Sequence, residues 1–274
     1  SAFEAFSPIS DSHYSALQLT ASHHFAHGLY FQSAYTFSKS IDDVSTASVA
    51  FLTRFNNQDI ATDSRGLSDF DRRNRWVTSF VYDLPFYKDR HDFTGNALGG
   101  WSISGVLLLQ SGTPFTIMDS AGGSAVALAS PAITASFAPG FGCSNALNTG
   151  NQASRLNNWV NPAAYMPAPV VGPDGSTGYG DSPRNCIIGP WQGNMDFTLN
   201  KNFRVAEHQN LRFRVDFFNL TNHPSFANPT ITDVEAPPIT INVMGVPTPV
   251  PALGRITSTV GNPRLVQFSL KYSY

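Results

Sequence analysis

The sequence is short of charge, of cysteine and of long apolar runs, and each shortage excludes something. Only 13% of its 274 residues are Asp, Glu, Lys or Arg, against about 25% in an ordinary soluble domain. The net charge is -2 and no basic tract occurs, so a nucleic-acid partner has no electrostatic footing. No run of about 18 apolar residues is present, which leaves no candidate transmembrane helix. Neither does a charged and then apolar leader open the chain, so Ser1 reads as the first residue of a mature or truncated product. The two cysteines, Cys143 and Cys186, lack the neighbouring ligands of a zinc site and are expected to form a disulfide in an exported protein.

What the chain has in quantity is aromatic side chains, 12% of residues, set into stretches of strict alternation. In the last ten residues Val266, Phe268, Leu270, Tyr272 and Tyr274 fall on one face, opposite Gln267, Ser269, Lys271 and Ser273. A strand with one face toward lipid and the other toward a polar lumen reads this way. The same period begins near Tyr14, Leu29, Trp76, Trp101, Asn194 and Leu211, which makes seven strands. The fourth has an apolar continuation that includes Phe115 and Ile117. Trp76 and Trp101 stand at strand ends, where a barrel carries its interfacial aromatic rings and a soluble sandwich its core rim.

Loop length supplies a topology. Short links at 25–28, 85–100 and 205–210 alternate with long ones at 41–75, 119–190 and 222–262. Antiparallel strands put all the short links on one side and all the long ones on the other, as in barrels with short periplasmic turns and long external loops. The expected fold is therefore all-β, an antiparallel transmembrane β-barrel with residues 1–274 as one partial barrel. Seven is an odd number, and bacterial barrels have an even one. Either residues 1–8 or a loop adds a strand, or the chain is the carboxyl part of a larger barrel.

Charge is concentrated in 41–75, and Asp69, Asp71, Arg72 and Arg75 are the candidates for an ionic network or for solute contact there. A calcium loop is disfavoured, because the acidic residues lack its spacing and its glycine. Arg212, Arg214 and Asp216 share one face of a strand and would be costly against lipid, so that face should line a wet interior. The region 119–190 is rich in Gly, Ala, Ser, Pro and Asn, and should be ordered in part by Cys143 and Cys186 and by Trp159, Tyr165 and Tyr179. A short helix is expected around Asn157 to Tyr165, where the Asn161 and Pro162 pair can punctuate or start one. No His recurs with Ser, Asp or Glu at catalytic spacing, so no enzyme, cofactor or metal centre is expected.

Several stretches together carry a family likeness: YFQSAYTFSKSIDD over 30–43, RGLSDFDRRNR over 65–75, LGGW over 98–101, QSGTPF over 110–115, FFNLTNHP over 217–224, GRIT over 254–257 and GNPR over 261–264. With these the chain resembles the carboxyl-terminal barrel region of TonB-dependent outer-membrane receptors of the Oar-like group. The resemblance implies a Gram-negative outer-membrane location and a barrel of about 22 strands around a plug. It also implies an inner-membrane TonB complex that energises uptake of a solute. The expected partners are outer-membrane lipid, the plug and upstream strands, and through them that complex. The chain itself matches neither the plug nor the energising contact motif. The other reading is a binding or adhesion module that exposes its loops without transport.

Overall fold

The computed structural model describes residues 10–25, 28–45, 55–57, 61–87, 93–126, 133–206, 209–244 and 246–274. Seven strands form one antiparallel sheet: β1 (Ser12–His24), β2 (Leu29–Asp42), β3 (Asn74–Asp83), β4 (Trp101–Gln110), β5 (Gln192–Ala206), β6 (Gln209–Phe218) and β7 (Leu265–Ser273). Each strand pairs with the next one in the chain, so the sheet is a meander. The loop after β2 adds a two-residue strand, Gly66–Leu67, which pairs with Ile41 and Asp42 and brings the sheet to eight strands. The sheet is open. Among the described residues the outer edges of β1 and β7 have no ladder partner, and no barrel closes.

The register turns seven local alternations into two continuous faces. One row runs Leu29, Tyr82, Ile103, Leu199, Val215, Phe268, and another runs Phe31, Phe80, Gly105, Phe197, Phe217, Val266. All of these lie on one face, and a shift of one residue in any strand would break the row. The opposite face carries Gln18, Gln32, Ser79, Ser104, Thr198, Asp216 and Gln267. On the apolar face Tyr35 and Trp76 are opposite each other near the long-loop end, and Tyr82 and Trp101 lie near the other. Trp76 and Tyr82 are six residues apart, roughly 20 Å along a strand, close to the apolar band of about 25 Å that a barrel presents to lipid.

Among the described residues the apolar face carries two lysines: Lys39, exposed near the long-loop end of β2, and the buried Lys201. Lys201 lies between Trp101 and Phe213 in the register and is only 1% exposed. The link between β3 and β4 explains it. A short helix, α1 (Phe93–Leu98), ends at Gly99 and Gly100, and the Lys201 ammonium donates to the carbonyls of Asn96 (2.6 Å), Gly99 and Asn202 (3.2 Å). The rings of Phe203 and Trp101 lie 4.5 and 5.8 Å from Nζ. A cation that would be expensive in an apolar setting is thus held by carbonyl dipoles and π-faces.

Apart from Val215 in β6, the buried hydrophobic residues lie outside the sheet, in the long connections 111–191 and 219–264. Phe115, Ile117, Ala135, Trp159, Val160, Tyr165, Ile187, Leu253 and Ile256 form one cluster. The expected run-on of β4 through Phe115 and Ile117 is corrected here: β4 stops at Gln110, and Pro114 and Phe115 pair instead with Ile188 and Ile187. Gly112 lies so close to the backbone of Gly189 and Pro190 that a side chain would collide with it, and Pro114 has no N–H to extend the β4 ladder. Of the helix expected around Asn157 to Tyr165 only a single 3-10 turn forms, Pro162–Ala164, capped by the Asn161 side chain. A disulfide joins Cys143 to Cys186. These connections fold into an ordered cap at one end of the sheet.

Candidate functional site

Two places gather the functional side chains: the junction of cap and sheet, and the polar face below it. At the junction the buried ion pair is Arg184 with Asp42. Arg184 Nη2 also donates to Ser45 Oγ and to the Leu67 carbonyl, each at 3.0 Å. Next to it Asn185 Nδ2 donates to Leu67 O (2.7 Å) and to Asp69 Oδ1 (2.6 Å), and its side-chain oxygen accepts from Thr116 Oγ1. Asn56, in the left-handed region at φ 53°, bonds Thr134 through both ends of its amide and also reaches Gly180 O. Two long connections that are remote in sequence, 41–75 and 111–191, are therefore tied together by charged and amide groups at the rim of the sheet.

Three of the four residues singled out in the first long loop bond to groups outside that set. Asp69 accepts from Asn185. Asp71 accepts from the backbone N–H of Ser40 at 2.6 Å, and Arg72 Nη1 donates to the Ser111 carbonyl at 2.7 Å. Each fixes the loop to a neighbouring strand or loop end, as short polar side chains do where backbone groups would otherwise lack partners. Asp71, Arg72 and Arg75 line a cavity of about 240 Å³ with Tyr14, Gln18 and Phe70, on the polar side of β1 and β2. Burial, and then the nearby positive charge of Arg75, lower the pKa of Arg72 from its ordinary value. Arg65, another cation of this loop, reaches out to Asp11 at 3.3 Å.

Arg212, Arg214 and Asp216 lie on the polar face of β6. Arg214 Nε donates to both carboxylate oxygens of Asp216 at 2.8 Å, and Thr198 Oγ1 donates to the same carboxylate at 2.6 Å. Arg212 Nε instead donates to Asn202 Oδ1 at 3.0 Å. Among the described residues no group of three or more His, Cys, Asp or Glu side chains is placed to hold a metal ion.

Sequence reasoning missed Arg184, Asn185 and Lys201. A signal for Arg184 existed: Arg155 and Arg184 are the only basic residues between 119 and 190, and a lone cation in so neutral a stretch invites a search for its carboxylate. Arg155 spends its charge differently, with its guanidinium 3.8 Å from the Trp159 ring centroid and its pKa lowered by burial.

A family model described as an outer membrane beta barrel domain matches residues 1–267. No curated protein and no solved structure matches the chain.

Proposed function

From a chain that belongs to the outer membrane β-barrel domain family, located in the bacterial outer membrane, we propose a more specific role. It is the carboxyl-terminal part of the wall of a TonB-dependent receptor that takes up a solute, in a barrel of about 22 strands around a plug. The observation that carries this reading is the open sheet with one continuous apolar face, one charged face and, among the described residues, two unpaired edges. An unpaired edge in a bilayer leaves backbone donors and acceptors unsatisfied, so β1 and β7 call for further strands. A charged inner face with room for water suits a wide lumen better than the filled interior of a small barrel. Its partners are outer-membrane lipid, the plug and upstream strands, and through them the TonB complex. No catalytic step is assigned to it.

The second reading, a binding or adhesion module without transport, draws on the cap. The loops fold around a core of their own, and an ordered external surface serves binding whether or not the lumen conducts.

The test is to extract the protein from outer membranes and detect it with an antibody against a cap peptide. The receptor reading expects a heat-modifiable band far heavier than the 29.7 kDa of this chain, whose coding frame also encodes a plug. A closed barrel of about that mass would contradict it and leave the module.

A further inference from the structure

The polar face has a second concentration of charge, at the end opposite the cap. Arg212 on β6 and Lys271 on β7 are direct cross-strand partners. Arg204 on β5 is two residues beyond Asn202, which is itself opposite Arg212. Like charges directly opposite each other in a sheet repel, so this arrangement persists at a cost unless an anion is shared. Among the described residues no carboxylate bonds any of the three, whereas Arg214, one row further up, holds Asp216 at 2.7 Å.

The three cations border a cavity of about 590 Å³ together with Asn202, Asn210 and Ser273. Its wall is fixed. Asn96 of α1 takes the place of a missing β-partner for Arg204, donating to its carbonyl at 3.1 Å and accepting from its N–H at 3.2 Å. The Gly100 carbonyl accepts from the N–H of Asn202 at 2.9 Å. Arg212 is aimed by its bond to Asn202.

We propose that Arg204, Arg212 and Lys271 form a binding site for a soluble, phosphate-bearing solute on the water-filled face near the short turns. Two guanidinium forks and an ammonium match a multiply charged tetrahedral oxyanion better than a single carboxylate. The amides of Asn202 and Asn210 and the Ser273 hydroxyl supply neutral donors around it. The site rests on the reading of this face as wet, and it stands whether or not the chain transports anything.

The test is titration of the whole protein that carries this chain, purified from outer membranes into phospholipid-free maltoside micelles, with inorganic phosphate and with glycerol 3-phosphate, read by calorimetry. Saturable binding is expected. It should weaken at least tenfold in an R212Q/K271Q variant and survive in K271R, with the mobility shift of the folded protein on heating retained in both. The wild type failing to saturate, or the double variant binding as well as the wild type, would overturn the proposal. Glu207, between β5 and β6 in the chain, and Asp89 and Asp92, between β3 and α1, are outside the described residues, and a D89N/D92N/E207Q variant separates the remaining case: binding by that variant alone would mean that the cations serve one of those carboxylates, and would also overturn it.

Discussion

Phe268 and Leu270 in the sheet are each about two-thirds exposed, at 67% and 66%, whereas Ile133 and Val160 in the connecting loops are 1% and 0% exposed. The usual distribution is inverted: apart from Val215, the apolar side chains of the regular strands are half-buried or exposed, and the irregular segments bury theirs. The difference follows from the solvent each region meets. A strand with lipid on one face and water on the other needs no protein core behind it, because the bilayer accepts the apolar face and the ladder satisfies the backbone. The cap has water around it and must bury apolar surface to offset the entropy of ordering long loops. It does so with short β-pairs, a disulfide and polar ties, and places the costliest of these, the Asp42–Arg184 pair, where it joins the sheet.

The largest effect is expected from breaking the junction. In R184Q the buried Asp42 carboxylate loses its counter-charge, a loss worth about 3–5 kcal/mol for a buried pair. Limited proteolysis should then cut within 111–191 while the sheet keeps its resistance to unfolding at room temperature in detergent. A D42N/R184M double variant should recover much of the loss, since two neutral groups leave no buried charge behind. A cap that stays resistant in R184Q would show that the apolar core alone holds it.

The next tests the two faces of one strand. Phe80 is in the middle of the apolar face, and Ser79 beside it points to the polar one. F80R should cost about 2–4 kcal/mol in a bilayer, and S79R about 0.5 kcal/mol or less, measured as urea unfolding from lipid vesicles. Equal costs would remove the distinction between a lipid face and a wet face.

The smallest concerns Tyr165, buried in the cap with no hydrogen-bond partner for its hydroxyl among the described residues. Burial raises its pKa well above the ordinary value near 10. The folded state therefore favours the protonated phenol. Its contribution is fully present below pH 10 and is lost as the pH rises above that, because the unfolded chain ionises first. Y165F should leave cap stability near pH 7 almost unchanged and flatten its fall above pH 10. Thermal melts of the cap followed by near-ultraviolet circular dichroism check both.

The sheet was legible in the sequence because period-two alternation is local. Each strand carries its own record of which face is which, and the starts expected near Tyr14, Leu29, Trp76, Trp101, Asn194, Leu211 and Leu265 match β1 to β7 within about two residues. Loop parity then orders the strands without any long-range information. The cap was not legible, because nothing local marks Phe115, Ile117 or Val160 as neighbours of Leu253 and Ile256. Period also misled at Phe115, where alternation continues past the strand and only Pro114 and the close approach at Gly112 reveal the turn away from the sheet. Asp69, Asp71, Arg72 and Arg75 were noticed by charge, but the bonds of the first three run to Asn185, Ser40 and Ser111. A carboxylate or guanidinium in a loop can take any backbone group within reach, so composition alone does not choose the partner.

The most direct measurement of the whole account is a spin-label scan along β6, from position 210 to 217, in lipid vesicles. Each label is read for collisions with oxygen, which partitions into lipid, and with a water-soluble nickel chelate. The account predicts a strict period of two: oxygen maxima at Leu211, Phe213, Val215 and Phe217, and nickel maxima at Asn210, Arg212, Arg214 and Asp216. Nickel access at Phe213 and Val215 equal to that at Arg212 and Arg214 would contradict it, because the face read as the lipid wall would then be in water.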